Sequence, residues 1–214
     1  MSGALSATSA HNKARLQSDL NIGAMPRWSE LGGGCPRVMR LGLATRGNTH
    51  LSADDVALAV ERGVNYLNWC GYDDGLAQAL RHGRINRSRV VIAMQLGGRD
   101  SASAARELQS SLRKLGTDCI DVVTFYYVEH KSEWQRIADP GGALEVLRGA
   151  KEQGRVRLIG LTTHQRKLAA ECALENKLDL LMVRYNAAHR GAEQDVFPVT
   201  ASLCMPVIVY TAQR

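Results

Sequence analysis

The sequence predicts an α/β fold in which parallel strands alternate with helices to form an incomplete (β/α) barrel of the TIM type. Seven short apolar stretches recur along the chain, and helical signals lie between most of them. The stretches lack apolar–polar alternation, which is typical of parallel strands buried on both faces. At 214 residues, the chain is shorter than the roughly 250 residues of a closed eight-stranded barrel. We therefore expect about seven of eight strands, with the last β/α units missing.

The amino-terminal part divides into a tail and the start of one domain. Residues 1–25 are polar and rich in Ala and Ser, without the continuous apolar core of a secretory signal, and predict a loose tail. Residues 26–214 form the predicted domain. The glycine triplet 32–34 lies between residues 27–31 and 37–39 and predicts a small hairpin. It lacks the spacing and the following helix of a dinucleotide-binding motif.

Each predicted strand is a short apolar run bounded by turn or helix signals. The predicted strands are residues 41–44, 66–70, 90–94, 120–127, 156–161, 178–183 and 207–210. No run approaches the roughly 20 apolar residues of a membrane-spanning helix. We therefore expect a soluble, cytoplasmic protein.

The predicted helices follow start and stop signals. The first begins with a capping-box pattern at Ser52 and ends before Gly63. The longest runs from about Ser103 to Gly116, with apolar residues Ala105, Leu108, Leu112 and Leu115 on one face. The remaining predicted helices cover residues 73–82, a segment between Pro140 and Gly154, and residues 168–174 and 196–203.

Composition narrows the kinds of ligand. The five cysteines are scattered and form no Cys-x-x-Cys pair, which argues against a disulfide framework and against a metal site. The net charge of +6 comes from dispersed arginines without a basic block or an aromatic RNA motif. This pattern favours an anionic small ligand over nucleic acid, and a merely solvated basic surface is the other interpretation.

Several stretches together resemble the aldo-keto reductase family in their order and spacing. They are residues 40–45, 63–72, 118–121, 154–160 and 185–191, and the resemblance covers about residues 27–214. It implies a barrel whose small-molecule ligand binds at its mouth, and NADPH-dependent reduction of carbonyl compounds.

The resemblance also implies a catalytic tetrad. Family members use a tyrosine as general acid beside a lysine, an aspartate and a histidine, because a phenol transfers its proton readily only when a cation stabilises the phenolate. Tyr72 stands near the position of the tyrosine. Asn68, Gln95 and Tyr126 stand at the positions of the aspartate, the lysine and the histidine. None of the three carries a charge, so we expect weak or absent catalysis, with His130 as a conceivable substitute donor.

The resemblance places a cofactor site on the later strands. Tyr210 matches an aromatic residue that stacks on the nicotinamide, and Thr162, Thr163 and His164 follow the strand where the carboxamide is held. Met182 occupies the position of a glutamine.

The cofactor's phosphates are a separate question. In the family, segments after the seventh and eighth strands bind them, and the sequence ends at Arg214, so we expect NADPH affinity to be lost unless another chain supplies these groups. Arg46, Arg184 and Arg190 could meet a phosphate, although surface arginines are more often solvated or ion-paired.

Three hypotheses for function follow. The first is a degenerate aldo-keto reductase that persists as a binding or interaction module. The second is a working NADP(H) oxidoreductase with a proton relay through Tyr72 or Tyr126, completed by a homo-oligomer. The third is another enzyme on the same scaffold, such as a lyase or isomerase of phosphate-bearing ligands. Because an incomplete barrel exposes strand edges, we expect the tail or a second copy to cover the gap between the first and seventh strands.

Overall fold

The computed structural model describes residues 27–45 and 50–212. The predicted tail and Arg46 lie outside the described residues. No helix in the described part is both long and apolar enough to cross a membrane.

A small hairpin opens the described chain, as the glycine triplet predicts. Strands β1 (Trp28–Ser29) and β2 (Val38–Met39) pair antiparallel. The Asn65 side chain ties the hairpin to the domain, because it accepts from the Met39 N–H at 2.7 Å and donates to the Arg37 carbonyl at 2.7 Å. The hairpin is thereby held against the amino ends of the larger strands.

The remaining strands form one parallel sheet. They are β3 (Leu43–Ala44), β4 (Tyr66–Trp69), β5 (Val91–Leu96), β6 (Ile120–Phe125), β7 (Val156–Thr163), β8 (Leu180–Arg184) and β9 (Val207–Tyr210). Their order in the sheet follows the chain, and every neighbouring pair is parallel. Within the described residues β3 and β9 are not paired with each other, so the predicted seven-stranded incomplete barrel is confirmed.

Helices follow most strands. They are α1 (Ala53–Glu61), α2 (Gly75–Arg81), α3 (Ser101–Leu115), α4 (Lys131–Ala138), α5 (Ala143–Glu152), α6 (Arg166–Leu174), α7 (Ala192–Asp195) and α8 (Phe197–Ser202). The predicted capping box is present at α1, where Ser52 and Asp55 bond each other's backbone N–H groups. Gly116 ends α3 in the left-handed conformation at φ 65°.

The two faces of the sheet bury different cores. The outer face packs on the helices through buried residues such as Leu67, Phe125 and Leu161. The inner face forms a smaller cluster in which hairpin residues Leu31 and Val38 meet strand residues. The strand residues of the inner cluster are Tyr66, Val91, Ala93, Val122, Leu158 and Leu180. The hairpin therefore fills the amino-terminal end of the half-barrel. Polar side chains lie at the carboxyl-terminal end.

The structure corrects the sequence predictions in three places. Helix α4 was not predicted. The predicted helix over residues 196–203 is present as α8, and the short helix α7 that precedes it was not predicted. Ala105 was placed on the apolar face of α3, but it is exposed and Ala104 is buried instead.

Candidate functional site

An open cavity of about 790 Å³ lies at the carboxyl ends of the strands. Both sides of the half-barrel contribute to it, from β3 and β4 on one side to β8 and β9 on the other. The lining residues are Ala44, Asn68, Cys70, Tyr72, Gln95, Gly97, Glu107, Tyr126, Tyr127, His164, Met182, Arg184, Tyr210 and Thr211.

The cavity brings together seven of the nine residues predicted from the sequence. Tyr72, Asn68, Gln95, Tyr126, His164, Met182 and Tyr210 line it. Thr162 and Thr163 do not. The Thr162 hydroxyl is buried and donates to Thr124 Oγ1 at 2.8 Å, and Thr163 Oγ1 accepts from the Gln165 N–H at 2.9 Å. Both threonine hydroxyls are thus engaged within the protein.

Asn68 and Gln95 reach the cavity by strand alternation. Asn68 pairs in register with Ala44 and Ala93, and it is only 6% exposed. No hydrogen bond joins Asn68 to Gln95, both of which the structure describes. Gln95 Nε2 lies instead 3.6 Å from the Met182 sulfur, so an amide and a thioether meet across the cavity.

Tyr72 lies on a loop whose backbone is held firmly. Trp69 Nε1 donates to the Tyr72 carbonyl at 2.8 Å, and Lys114 Nζ donates to the Gly71 carbonyl at 3.1 Å. The side chain itself is 61% exposed. Among the described residues no hydrogen bond joins the Tyr72 hydroxyl to Asn68, Gln95 or Tyr126.

An aromatic cluster forms the opposite rim. The Tyr127 ring stacks on His164 with centroids 4.3 Å apart, and Tyr126 lies 4.4 Å from Tyr127. Tyr210 meets Tyr127 and His164 edge-on, at 5.9 and 5.7 Å. Burial raises the pKa of the Tyr210 hydroxyl, which donates to the Thr163 carbonyl at 3.3 Å. Tyr210 is therefore a fixed aromatic surface rather than an acid.

Tyr127 was missed as a cavity residue. Strand alternation from Tyr126 would turn the next side chain away from the cavity, but β6 ends at Phe125 and Tyr127 has a φ of 36°. This left-handed turn brings adjacent tyrosines to one cavity. No sequence signal marks it, because residues other than glycine and asparagine rarely adopt this conformation.

His164 is oriented by a carboxylate. Glu129 Oε1 accepts from the His164 backbone N–H at 3.0 Å and lies 3.1 Å from His164 Nδ1, and Gln165 Nε2 donates to Oε2 at 3.1 Å. Partial burial opposes ionisation of Glu129, but these hydrogen bonds outweigh it and hold its pKa below the usual range. His130, the proposed substitute donor, is the N-cap of α4 and lines a neighbouring groove instead of the cavity.

Charged groups in the cavity lining are few. The Glu107 carboxylate is hydrogen-bonded, because it accepts from the backbone N–H groups of Gly97 and Gly98 at 2.8 to 3.0 Å. Arg184 is the cationic member of the described lining. Within the described residues no group of three or more His, Cys, Asp or Glu side chains could hold a metal ion.

Comparison with known proteins connects this architecture to one family. The model of the Aldo/keto reductase family matches residues 38–212. The NADH-specific methylglyoxal reductase of Escherichia coli (strain K12) is 26% identical over 184 residues, which are 74% of this chain and 55% of that protein. The chain therefore spans about half the length of this relative.

Solved structures agree on the fold. An aldo-keto reductase from Klebsiella pneumoniae in complex with NADPH matches with a TM-score of 0.70 at 20% identity, over 87% of this chain and 68% of that one. Another from the same organism, in complex with NADP and acetate, matches with a TM-score of 0.66 at 19% identity, over 81% and 64%. At these identities the likeness shows the fold alone.

Proposed function

Because the chain belongs to the aldo/keto reductase family, we propose that its cavity is a ligand-binding site of that family in which carbonyl reduction is weak or absent. The observation that carries the proposal is the neutral centre of the cavity. Asn68, Gln95 and Tyr126 line it, and the Gln95 amide contacts the Met182 sulfur. None of these groups stabilises a phenolate as an ammonium does.

The position of Tyr72 supports the same proposal. Its side chain is 61% exposed, and the Lys114 ammonium is bonded to the backbone carbonyl of Gly71, the residue before it. A phenol transfers its proton readily only when a cation stabilises the phenolate, and no hydrogen bond among the described residues joins the Tyr72 hydroxyl to an ammonium or guanidinium group.

The first experiment measures turnover. We expect NADPH or NADH oxidation in the presence of excess aldehyde to stay below about 0.01 s⁻¹, against typical enzyme values of about 1 to 1,000 s⁻¹. The double variant Asn68→Asp/Gln95→Lys restores both charges, and we expect it to raise the rate at least about tenfold, since a positioned proton-transfer group contributes roughly 100-fold or more. The matched variant Asn68→Ala/Gln95→Met alters the same positions without charge and should give no gain.

A second candidate function is an NADP(H)-dependent oxidoreductase that reduces aldehydes or ketones, with Tyr72 as the proton donor and a second copy completing the cofactor site. Its support is that Tyr72 and Tyr210 line one cavity. The NADP and NADPH complexes of the two Klebsiella proteins support this choice of cofactor, whereas the E. coli relative is named as NADH-specific. In this candidate the nicotinamide contacts three residues of the cavity lining, Met182, His164 and Tyr210. Thr162 and Thr163 lie next to them on β7, outside the lining.

NADPH titration, followed by cofactor fluorescence, separates the two candidates. If the first candidate function is right, we expect the dissociation constant for NADPH to lie above about 1 μM. Submicromolar binding together with turnover that Tyr72→Phe abolishes would overturn it in favour of the second. Absence of binding at millimolar NADPH would exclude the second.

A further inference from the structure

Arg184 has an unusual environment for a cavity arginine. It ends β8 on the inner face, where its Cα pairs in register with Tyr210, and its side chain lines the cavity. The ion pairs of the described residues involve other arginines and do not include Arg184. Its Nε is buried and has no hydrogen-bond acceptor. The guanidinium charge is therefore only partly satisfied by the protein.

The hydrogen-bond partner of Arg184 is the imidazole ring of His189, which offers a lone pair and no negative charge. Arg184 Nη2 lies 2.7 Å from His189 Nε2, and His189 Nδ1 lies 3.0 Å from the Asn186 side-chain oxygen. The same oxygen accepts from the Ala188 N–H at 3.0 Å, which identifies it as the acceptor and leaves the proton on His189 Nδ1. His189 Nε2 is then a lone-pair acceptor for the arginine and contributes no negative charge.

The loop that holds this pair is braced. Asn186 Nδ2 donates to the Thr211 carbonyl at 2.9 Å, and the His189 N–H donates to the Asn186 carbonyl at 3.0 Å. Arg184 and His189 are thus positioned from both β8 and the end of β9. A guanidinium held in place costs less entropy on binding than a mobile surface arginine.

We propose that the cavity takes an anionic ligand whose carboxylate or phosphate group is bound by Arg184 beside His189. An arginine in a partly buried site attracts an oxyanion strongly, because its charge is delocalised and weakly hydrated. The Glu107 carboxylate does not pair with Arg184, since it accepts instead from the backbone N–H groups of Gly97 and Gly98. The aromatic rings of Tyr127 and Tyr210 line the same cavity as the arginine and suit an apolar or planar remainder of the ligand.

This inference rests on the proposed function in taking the cavity as the ligand site, and it narrows the ligand class to anionic compounds such as 2-oxo acids or phosphate-bearing carbonyl compounds. Binding is measured without cofactor or turnover, so its outcome is independent of whether the protein reduces carbonyls.

The test is isothermal titration calorimetry on the full chain with three probes: benzoylformate, its uncharged methyl ester, and inorganic phosphate. We expect at least one oxyanion probe to bind in the low millimolar range or tighter. Arg184→Gln should weaken that binding about tenfold or more, as expected for loss of a charge-assisted hydrogen bond. Arg190→Gln is the matched control, because Arg190 is paired with Glu193 and lies outside the cavity lining.

The probes identify the source of the anion. Binding of benzoylformate but not of its ester indicates a carboxylate ligand, and binding of phosphate alone indicates a phosphate-bearing ligand. The proposal is overturned if neither oxyanion binds at 10 mM, a concentration about tenfold above the expected range. It is equally overturned if benzoylformate and its ester both bind with the same affinity, or if Arg184→Gln leaves the affinity for the oxyanion unchanged. Circular dichroism of each variant checks that the fold is intact.

Discussion

At the scale of single residues, two carboxylates act at opposite ends of the sheet. Asp121, 1% exposed, lies at the amino end of β6, where its Oδ2 accepts from the Ile92 N–H at 2.8 Å and contacts Arg87 Nη2 at 2.7 Å. Arg157 Nε lies 3.1 Å from Oδ1. Asp121 thereby connects β5, β6 and β7 and has a structural role. Glu129, at the carboxyl end, orients a histidine of the cavity instead.

Glu129 makes stability depend on pH in a defined direction. The folded-state pKa lies below the ordinary value of 4.5, so the ionised carboxylate contributes stability that is complete above pH 4.5 and is lost as the pH falls through the folded-state pKa. We expect Glu129→Gln to lower the free energy of unfolding by about 1 kcal/mol at pH 7. The difference from the wild type should shrink in acid.

Urea unfolding at neutral pH and at a pH below 4.5 measures this effect. Glu152→Gln, an exposed change near the end of α5, should leave stability the same at both values. A deficit of Glu129→Gln that persists unchanged in acid would show that the carboxylate charge is not the cause.

At the scale of elements, close packing between helices depends on individual glycines. Gly75 begins α2 and is buried against the start of α1. A Cβ added there would lie 2.6 Å from the Ser52 carbonyl carbon, which is backbone and cannot rotate away. Gly149 in α5 has no atom within 4 Å of an added Cβ. The same substitution should therefore have opposite effects at the two positions.

We expect Gly75→Ala to destabilise the protein by about 2 to 3 kcal/mol, because α1 or α2 must shift to relieve the overlap. Gly149→Ala should stabilise it by about 0.5 to 1 kcal/mol, since alanine loses less backbone entropy in a helix. Thermal and urea unfolding of both variants give the comparison. Equal effects would indicate that α1 and α2 are not packed as described.

The elements that sequence predicted well are those with local signals. The strands, the capping box of α1 and the hairpin follow from apolar runs, Ser52 with Asp55, and the glycine triplet. Helix α4 has only Trp134 and Ile137 as buried apolar residues in eight positions, which is too weak a period to identify it. A capping signal did exist, since Glu133 accepts from the His130 N–H at 3.2 Å.

The candidate site was only partly predictable for a similar reason. The family resemblance located Asn68, Gln95 and Met182. The Gln95–Met182 contact joins residues 87 apart in sequence, and nothing local indicates it. The neutral state of His189 likewise depends on how Asn186 turns, which only the folded loop determines.

At the scale of the whole molecule, the sheet has two free edges. Within the described residues β3 pairs only with β4, and β9 only with β8. Apolar side chains lie near these edges, with Val209 39% and Leu41 58% exposed. Unpaired strand edges with apolar neighbours favour association with another chain.

We expect a second copy of the chain to cover these edges, so that light scattering at micromolar concentration gives a dimer or larger species. Val209→Lys should shift the mass towards the monomer, because it places a charge at the edge strand. Leu174→Lys, which alters an exposed residue on α6 (63% exposed), should not. A wild-type chain that remains monomeric at every concentration would refute the expectation.

The strictly sequential order of the sheet has a consequence for how the molecule is made. Each strand from β4 to β9 pairs with the strand that precedes it in the chain. A nascent chain can therefore add one β/α unit at a time as it leaves the ribosome, with each finished edge serving as the template for the next strand. The hairpin emerges before the parallel strands, but its contact with Leu158 requires β7. The hairpin can therefore close the amino-terminal end of the half-barrel only after most of the sheet has been synthesised.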